Sequence, residues 1–498
     1  MTPEQWNRSI EVLREQLGLT DHAYVAVLHR KYYEAEAERT LFHNKITRRG
    51  FVGALAAAAP VAVAAGTDGW TDLFDGHSMT GWRPSENKAS WKVSDGMLTA
   101  NGARSHLFYV GPFHGAEFKN FELEVELTTK PECNSGVYFH TTYQETGFPE
   151  KGFEVQVNNT AKGDSGYLER KKTGSLYGLR NMYKQLVPDE KPFRMRIAVR
   201  GKDVQIRLND ELLVDYVEPT PPVIPAGGEK YRFLDRGTFA LQCHNEGSKV
   251  AYRYVRVRPL PDDLPAYTGP VPVVDETYRR IIDIGRHNLP MVDFHVCLRK
   301  ALTLENALRK SRWDGIQYGI TADAAALTSE AAVGHWLQTV AGKPVFFALG
   351  TKDGTWTQRI PLTSAKQFDY VVADGRASGF DETIKRLNEE PIDIISGFID
   401  PPASRVHDFI DALVRNKVAV ELNTTTKTPS EPFILQAKEA GCRFAFGTAN
   451  QTAAELKRCE YGLQMVETCK LDWHNFFVPG AWWPKAVERR WPSSIAFH

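Results

Sequence analysis

The chain has 498 residues and a formal net charge of zero, from 61 Lys and Arg against 61 Asp and Glu. This length predicts at least two compact domains, and 42% hydrophobic with 24% charged residues exclude a disordered chain and a polytopic membrane protein. The balanced charge argues against a general nucleic-acid binder, because phosphate contacts need a basic face. None of the six cysteines forms a C-x-x-C pair, so neither a zinc knuckle nor a thioredoxin-like motif is predicted.

The first apolar run predicts an export signal. Residues 50–65 are Ala-rich and too short for a membrane-spanning helix, which needs about 20 apolar residues. The preceding TRRGFV (47–52) is similar to a twin-arginine motif, and AVA (62–64) is a small-x-small cleavage site. Residues 47–65 are therefore predicted to be a signal region, with a bacterial periplasmic or secreted mature chain. Within the preceding residues 1–46, the stretch 11–37 has helical spacing. This segment is either a long n-region or the product of a wrongly chosen start codon, or else a cytoplasmic helix.

Short segments of alternating hydrophobicity follow, separated by Gly, Asn, Asp and Pro, and they predict an all-β sandwich over residues 69–261. The clearest strands are FELEVEL (121–127), GVYFHT (136–141), FEVQV (153–157), FRMRIAV (193–199), VQIRL (204–208), FALQCH (239–244) and VAYRYVRVR (250–258). Sandwiches of this size with a concave sheet commonly hold saccharides.

The period of two places pairs of polar side chains on one face of a strand. Glu154 and Gln156 share a face, as do Gln242 and His244, with Tyr177 and Arg253 nearby in the pattern. These residues could form a polar floor for sugar hydroxyls. The alternative is that they are the solvent side of an antiparallel sheet.

Six ordered blocks in this region resemble the 3-keto-disaccharide hydrolase domain family. They are GWTDLFDG (69–76) with Gly81-Trp82, WKVSDGML (91–98), NSGVYF (134–139), FEVQ (153–156), Tyr177-Gly178, and ALQCH (240–244) with YRYVRV (252–257). The resemblance implies a concanavalin-like jelly roll that acts on glycosides oxidised at C3. Cys243 and Tyr252 depart from the usual pattern of the family.

Such a substrate needs a base for the acidified C2 proton, a stabiliser for the enolate oxygen and an acid for the leaving oxygen. Glu154 is the candidate base, and His244 the candidate acid or electrophile. Arg253, Gln242 and Asn134 are expected to hold the carbonyl and hydroxyl groups, together with Gln156 and Tyr177. A divalent ion bound by such groups could serve equally as the electrophile.

Five prolines in residues 259–274 mark a domain boundary, with a Pro-rich linker at 262–274. Strand-like and helical segments then alternate seven times over residues 275–472, which predicts an α/β barrel of the (β/α)7 type. The strand-like segments are MVDFHV (291–296), IQYGIT (316–321), VFFALG (345–350), YVVAD (370–374), IISGFID (394–400), VAVELNT (418–424) and RFAFGT (443–448). Residues 473–498 are predicted to be a strap packed on the barrel.

Four potential metal ligands, Asp293, His295, Asp400 and Glu421, are expected at the carboxyl ends of the barrel strands. The block DFHVC (293–297) resembles the PHP-type metal-dependent hydrolase barrel. That family has a second histidine where this chain has Cys297, and an Asp-x-His motif where it has TANQ (448–451). Loss of these ligands favours a metal-free barrel used for binding or support over an active phosphoesterase.

Three functions remain open from the sequence. The first is an exported enzyme that cleaves 3-keto glycosides, supplied by a separate sugar 3-oxidoreductase, since this chain has no dinucleotide-binding glycine motif. The second is a lectin-like binding protein that holds sugar without chemistry. The third is a metal-dependent phosphoesterase whose active site lies in the barrel.

Overall fold

The computed structural model describes residues 69–161, 169–224, 231–265, 267–376, 379–397, 399–481 and 483–492. The predicted signal region and the segment before it lie outside these residues. The chain folds as two compact units. Of the described residues, those within 69–154, 189–224 and 231–273 belong to the first unit, and those within 155–188 and 274–492 belong to the second.

The first unit is built from strands, as the alternating pattern predicts. Its strands are β1 (Thr71–Asp72), β2 (Trp82–Pro84), β3 (Trp91–Ser94), β4 (Met97–Ala100), β5 (Ser105–Tyr109), β6 (Asn120–Thr129), β7 (Ser135–Thr141), β8 (Phe153–Val157), β9 (Phe193–Arg200), β10 (Asp203–Leu208), β11 (Glu211–Val217), β12 (Thr238–Cys243) and β13 (Val250–Leu260). The boundary between the two units falls inside β8.

These strands form two antiparallel sheets, so the predicted jelly-roll-like sandwich is confirmed. One sheet has the order β11-β10-β9-β6-β13-β4-β3, with β1 paired to β13, and the other has the order β2-β5-β12-β7-β8. Phe121 of the first sheet lies 5.9 Å from Phe139 and 4.9 Å from Phe239 of the second, measured between ring centroids. These aromatic contacts join the two sheets in the core.

The acidic residues of β6 alternate with core residues and are nevertheless buried. The Glu124 carboxylate, 1% exposed, accepts hydrogen bonds from Arg196 at 2.6 Å and Arg256 at 2.6 Å, from the strands on either side. Burial alone would raise the pKa of Glu124, but the two arginines lower it below its ordinary value. Cross-strand ion pairs thus compensate for burying this row of carboxylates.

The second unit contains a closed barrel of seven parallel strands, in the order of the chain. The strands are β14 (Val292–Val296), β15 (Gln317–Asp323), β16 (Val345–Thr351), β17 (Tyr370–Asp374), β18 (Ile394–Ser396), β19 (Ala419–Asn423) and β20 (Phe444–Gly447). Its helices are α1 (Glu276–Arg286), α2 (Leu304–Asp314), α3 (Glu330–Val340), α4 (Trp356–Arg359), α5 (Leu362–Ala365), α6 (Phe380–Glu389), α7 (Val406–Asn416), α8 (Glu431–Glu439), α9 (Glu460–Thr468) and α10 (Ala486–Arg489).

Side-chain caps start several of these helices. Asp275, Thr303 and Ser329 precede α1, α2 and α3, and each side chain accepts a hydrogen bond from a backbone N–H of the first turn. Gly315 ends α2 with a φ of 75°, a conformation that glycine adopts without a steric penalty. The helix boundaries are therefore fixed locally, by the residues at each end.

Residues 155–188 belong to the second unit although they interrupt the sequence of the first, and we call them the excursion segment. Arg170 donates to the carbonyl of Trp473 at 2.8 Å, and the Tyr183 hydroxyl donates to the carbonyl of Leu289 at 3.0 Å. Lys184 pairs with Asp369 at 2.6 Å. These three described side chains of the segment are thus bound to residues far along the chain.

The end of the chain also contacts the barrel residues. The backbone N–H of Ala486 donates to Asp393 at 2.8 Å, and the Trp491 ring lies 5.7 Å from that of Trp356. Across the described residues, none of the helices is both long enough and apolar enough to cross a membrane.

Candidate functional site

A polar row crosses one face of the five-stranded sheet, with Gln242 at its centre. Gln242 of β12 lies opposite His106 of β5 in the strand register. Its side-chain amide donates to the Tyr138 hydroxyl of β7 at 2.8 Å and lies 3.3 Å from Nε2 of His106. All three side chains are at most 3% exposed. The neighbouring residues on these strands point to the opposite, apolar side of the sheet.

His106 is held as a neutral imidazole. Its burial lowers the pKa to about 3, because the charged ring would lose its hydration. Since the Gln242 amide donates to Nε2, the proton of the ring is carried by Nδ1. Within the residues that the structure describes, neither this Nδ1 nor the Oε1 atom of Gln242 has a hydrogen-bond partner. The row therefore contains one buried donor and one buried acceptor that no other described group satisfies.

Glu154 lies at the next position of the same row. It is on β8, beside β7, and its side chain is 8% exposed. Its carboxylate lies across Gly136, where the Cβ atom of any other residue would overlap with Oε1. Gly136 thus makes the space in which the carboxylate reaches the row. The predicted base is present on the same face as Gln242.

Aromatic and basic side chains border this row. The Phe148 ring, 41% exposed, lies 5.7 Å from the His106 ring and 5.5 Å from the His244 ring. Arg104 stacks over Phe148 at 4.9 Å and pairs with Glu86 at 2.7 Å. This border offers a ring face on which an apolar side of a sugar can pack.

Two further residues of the prediction lie at the ends of strands in this sheet. His244 directly follows β12 and is half-buried, while Asn134 directly precedes β7 and is buried. The backbone N–H of Asn134 donates to the Ser248 hydroxyl at 3.3 Å. Both residues flank the polar row, with His244 on the Phe148 side.

Arg253 does not belong to this group, which corrects the expectation from the sequence. It lies on β13 of the other sheet, where its side chain is 72% exposed and pairs with Glu126 at 2.9 Å. The pairing of β13 with β6 shifts register between Tyr252 and Tyr254, so Arg253 is the extra residue of a β-bulge. The alternation of side chains along the sequence does not reveal such an extra residue.

Gln156 and Tyr177 belong to the second unit. Gln156 is 1% exposed, and its backbone N–H donates to the carbonyl of Ser175 at 3.0 Å. The Tyr177 hydroxyl donates to Glu169 at 3.2 Å, and the Lys171 ammonium lies 4.5 Å from the centre of its ring. In the second unit these two residues therefore form part of the bonding of the excursion segment.

His106 and Tyr138 are site residues that the sequence analysis missed. Tyr138 stands in a quoted block of the family resemblance, in which the sequence analysis assigns a role to Asn134 alone. The strand of His106, SHLFY (105–109), is buried at all five positions, so it has no polar and apolar alternation to reveal it. The one indication in the sequence is that His106 lies in a run of aromatic and apolar residues. A histidine in a buried strand is uncommon, and this could have marked His106 as a candidate.

The potential metal ligands of the barrel are bound to other groups. Nδ1 of His295 lies 2.8 Å from Glu421 Oε2 and 3.1 Å from the Ser396 hydroxyl. The carboxylate of Asp293 accepts from the Thr448 hydroxyl at 2.7 Å, and burial raises the pKa of Asp293 to about 6. Among the described residues, no three His, Cys, Asp or Glu side chains form a group that could hold a metal ion.

Asp400 does not end a barrel strand, contrary to the prediction. The strand β18 stops at Ser396, because Gly397 adopts a left-handed conformation with a φ of 67°. Asp400 lies four residues further and accepts from the backbone N–H of Ser430 at 3.1 Å. The glycine inside IISGFID marks the end of the strand rather than a point within it.

The imidazole of His295 shares a further contact with Cys297, two residues along the chain. Burial disfavours the charged imidazole, but the Glu421 carboxylate outweighs it and raises the pKa of His295 well above its ordinary value. Burial would raise the pKa of the Cys297 thiol, yet its hydrogen bond with His295 and the charge of that ring lower it. The thiol of Cys297 and the imidazole of His295 can therefore share a proton.

Comparison with known proteins finds a family model that matches part of the chain. Residues 69–258 match the model of the 3-keto-alpha-glucoside-1,2-lyase-like domain. A curated relative, the 3-keto-disaccharide hydrolase of Bacteroides thetaiotaomicron, is 27% identical in an alignment of 174 residues, and the match covers 30% of this chain. The match spans 59% of the length of that relative.

Solved structures that are similar to this chain include two from bacteria. One is a Parabacteroides distasonis protein described as a glycosyl hydrolase, with 24% identity and a TM-score of 0.33 over 39% of this chain and 95% of that chain. Another is a carbohydrate-binding module from Bacillus subtilis, with 13% identity and a TM-score of 0.25 over 35% of this chain and 94% of that chain.

Proposed function

We propose, starting from the match of residues 69–258 to the 3-keto-alpha-glucoside-1,2-lyase-like domain, that the sandwich cleaves the glycosidic bond of 3-keto glycosides. The observation that carries this proposal is the polar row of the five-stranded sheet. There a buried acceptor on Gln242 and a buried donor on His106 have no partner among the described residues, beside the carboxylate of Glu154. A ligand with carbonyl and hydroxyl groups would satisfy both atoms.

The chemistry follows from the acidity that a C3 carbonyl gives to the C2 proton. Glu154 removes this proton, and the enolate oxygen that develops at C3 is stabilised by donors such as Nδ1–H of His106. The enolate expels the oxygen at C1, and His244 is placed at the border to protonate it. Water then adds to the resulting double bond, which completes the net hydrolysis. Because His106 is neutral, it donates to the enolate without having to lose a charge.

The test is the release of the aglycone from a 3-keto glucoside and from its parent glucoside, with and without EDTA. We expect release from the keto sugar alone, since only that substrate has the acidic C2 proton. Sensitivity to EDTA would add a metal ion as the electrophile.

Replacing Glu154 by Gln is expected to reduce the release at least 100-fold while the thermal unfolding temperature stays within a few degrees, because the amide keeps the shape but cannot accept a proton. Arg253→Gln, on the other sheet, is the matched control and is expected to retain full activity. Release at the wild-type rate by Glu154→Gln would remove Glu154 as the base. Saturable binding of the keto sugar without release, in the wild type, would support a lectin-like function instead.

We also propose that the protein is exported in a bacterium by the twin-arginine route and receives its substrate from a separate sugar 3-oxidoreductase. The export rests on the TRRGFV and AVA motifs of residues 47–64. Replacing Arg48 and Arg49 by Lys should retain the uncleaved chain inside the cell, as detected by fractionation and mass spectrometry.

A further inference from the structure

A cavity of about 320 Å³ opens at the carboxyl ends of the barrel strands, and its lining includes His295, Cys297 and Thr321. Cys297 follows β14, and Thr321 lies on the adjacent strand, one residue beyond Ile320, which pairs with Val296. Among the described lining residues Cys297 is the one cysteine, so no second thiol is present for disulfide exchange. The Thr321 hydroxyl has no hydrogen-bond partner in the described part of the chain.

The imidazole of His295 is held in its orientation by contacts to its Nδ1 atom. Glu421 Oε2 and the Ser396 hydroxyl both lie next to Nδ1, at 2.8 and 3.1 Å, and Ser396 also donates to Glu421 Oε1 at 2.9 Å. Asn423 donates to the same Oε1 atom at 2.5 Å. The carboxylate is therefore fixed on one edge of the ring, which leaves Nε2 to exchange a proton in the cavity. A nucleophile, an imidazole and an orienting carboxylate are the components of a thiol-dependent acyl-transfer site.

The charges around the cavity favour an anionic ligand. Asp374 is paired with Arg376 at 2.9 Å, and Asp323 with Lys352 at 3.3 Å. Arg299 is held by three backbone carbonyls, those of Leu298, Asn450 and Gln451, at 3.1 to 3.2 Å. Within the described residues it makes no ion pair, so its guanidinium can bind a carboxylate or phosphate of a ligand.

We propose that this cavity is a second active site, in which Cys297 and His295 hydrolyse small esters whose acyl part carries an anionic group. Glu421 is a positioning residue that holds the imidazole. The site lies wholly in the second unit and is independent of the sugar chemistry proposed for the first.

The reaction balances with water as the only co-reactant. The Cys297 sulfur forms a bond to the ester carbonyl carbon while its proton passes to His295, the bond to the alkoxy oxygen breaks, and His295 gives this proton to that oxygen. The products are an alcohol and an acyl thioester on Cys297. His295 then takes a proton from water, the hydroxide adds to the thioester carbonyl, and the carbon–sulfur bond breaks. The acid is released, and the sulfur takes the proton back from His295.

The test uses the full chain with two esters of equal acyl length, 4-nitrophenyl hydrogen succinate, which is anionic, and 4-nitrophenyl butyrate, which is neutral. We expect nitrophenolate release at least ten-fold faster from the anionic ester, and a transient acyl group on Cys297 in mass spectra of quenched samples. Cys297→Ser should reduce the release at least 100-fold, and Arg299→Ala should remove most of the preference for the anion.

Glu421→Gln is expected to slow acylation of Cys297 at least ten-fold, and Glu421→Asp to recover part of the rate, with thermal unfolding followed for both. Equal release by wild type and Cys297→Ser, acyl groups found on lysines only, or equal rates with the two esters would overturn the proposal. A loss of rate in Glu421→Gln that only matches a loss of folded protein would overturn the role of Glu421. Cys297→Ser should leave cleavage of the 3-keto glucoside unchanged, so the two proposals can fail separately.

Discussion

Glu218 is a buried carboxyl group for which the described residues provide no ion pair at close range. It follows β11, is 5% exposed, and accepts one hydrogen bond, from the backbone N–H of Leu234 at 2.7 Å. Burial raises the pKa of Glu218 to about 7, and the Leu234 hydrogen bond and the charge of Lys202 only partly oppose this. The folded protein thus binds a proton here more tightly than the unfolded chain does.

This predicts a loss of stability with rising pH. Between an unfolded pKa near 4.5 and the folded pKa near 7, the folded state holds more protons, so the free energy of unfolding falls as the pH increases. The protonated Glu218 side chain contributes up to about 3 kcal/mol to the free energy of unfolding, and this contribution is fully lost above pH 7. Glu218→Gln should remove it, as seen in urea midpoints at pH 5 and pH 8. The exposed Glu246→Gln is the control, and an unchanged pH slope in Glu218→Gln would contradict the prediction.

Within the barrel, the strand β15 has a position that no side chain can occupy. The Cβ atom of any residue at Gly319 would overlap with the Tyr370 hydroxyl of β17. That hydroxyl donates to the backbone carbonyl of Phe294 in β14 at 2.6 Å. The ring of Tyr370 is almost fully buried, so its hydroxyl has nowhere to move without losing this bond.

Gly319→Ala is therefore expected to destabilise the second unit by about 2–4 kcal/mol, from overpacking and from a lost buried hydrogen bond. Adding Tyr370→Phe should recover part of this loss, because it removes the atom that the new methyl group meets. Thermal unfolding of the two single variants and the double variant measures the coupling. A double variant less stable than the sum of the two single variants would show that the clash is not the cause.

Several strands could be predicted from local pattern, and the failures have local causes too. FEVQV and YVVAD coincide with β8 and β17 because each is bounded by residues that stop a strand. The period of two predicts the shared face of Glu154 and Gln242 without error, since both strands run without a bulge at those positions. It does not tell which sheet a strand joins, so it could not separate Arg253 of β13 from them. His106 is not apparent from the sequence because all five residues of β5 are buried.

Cys297 shows a different limit. The sequence analysis treated Cys297 as a lost metal ligand, because the family motif has histidine at this position. A motif gives the expected residue type and does not describe the chemistry of a different residue there. Cys297 is linked to Glu421 through His295. His295 and Glu421 lie on different strands and are 126 residues apart in the chain. Only the closure of the barrel brings the carboxylate to the imidazole.

The two units are interleaved along the chain, and this determines where the chain can be cut into fragments that fold. The excursion segment is bonded within the second unit, with the backbone N–H of Tyr183 donating to the Gln317 side chain at 2.8 Å and Lys184 paired with Asp369. A fragment that ends before residue 274 retains this segment and lacks these partners. A cut in the linker therefore does not separate two self-sufficient pieces.

We expect that a chain lacking residues 274–498 is cleaved by trypsin within the excursion segment, at Arg170 to Lys184, under conditions in which the full chain resists cleavage there. The reason is that backbone groups without partners are exposed to the protease. Limited proteolysis followed by mass spectrometry locates the cuts. A truncated chain that resists cleavage in this segment would show that it folds without the barrel.

The excursion segment also sets an order in time for the newly made chain. Arg170 and its partner Trp473 are 303 residues apart. At about 5–20 residues per second, the ribosome delivers that partner roughly 15–60 s after the arginine has emerged. During this interval Arg170 lacks this partner, although Leu289 and Asp369, the partners of Tyr183 and Lys184, emerge earlier. The part of the excursion segment around Arg170 is therefore the last to be fixed, and a ribosome stalled before residue 473 would leave this arginine without the Trp473 carbonyl.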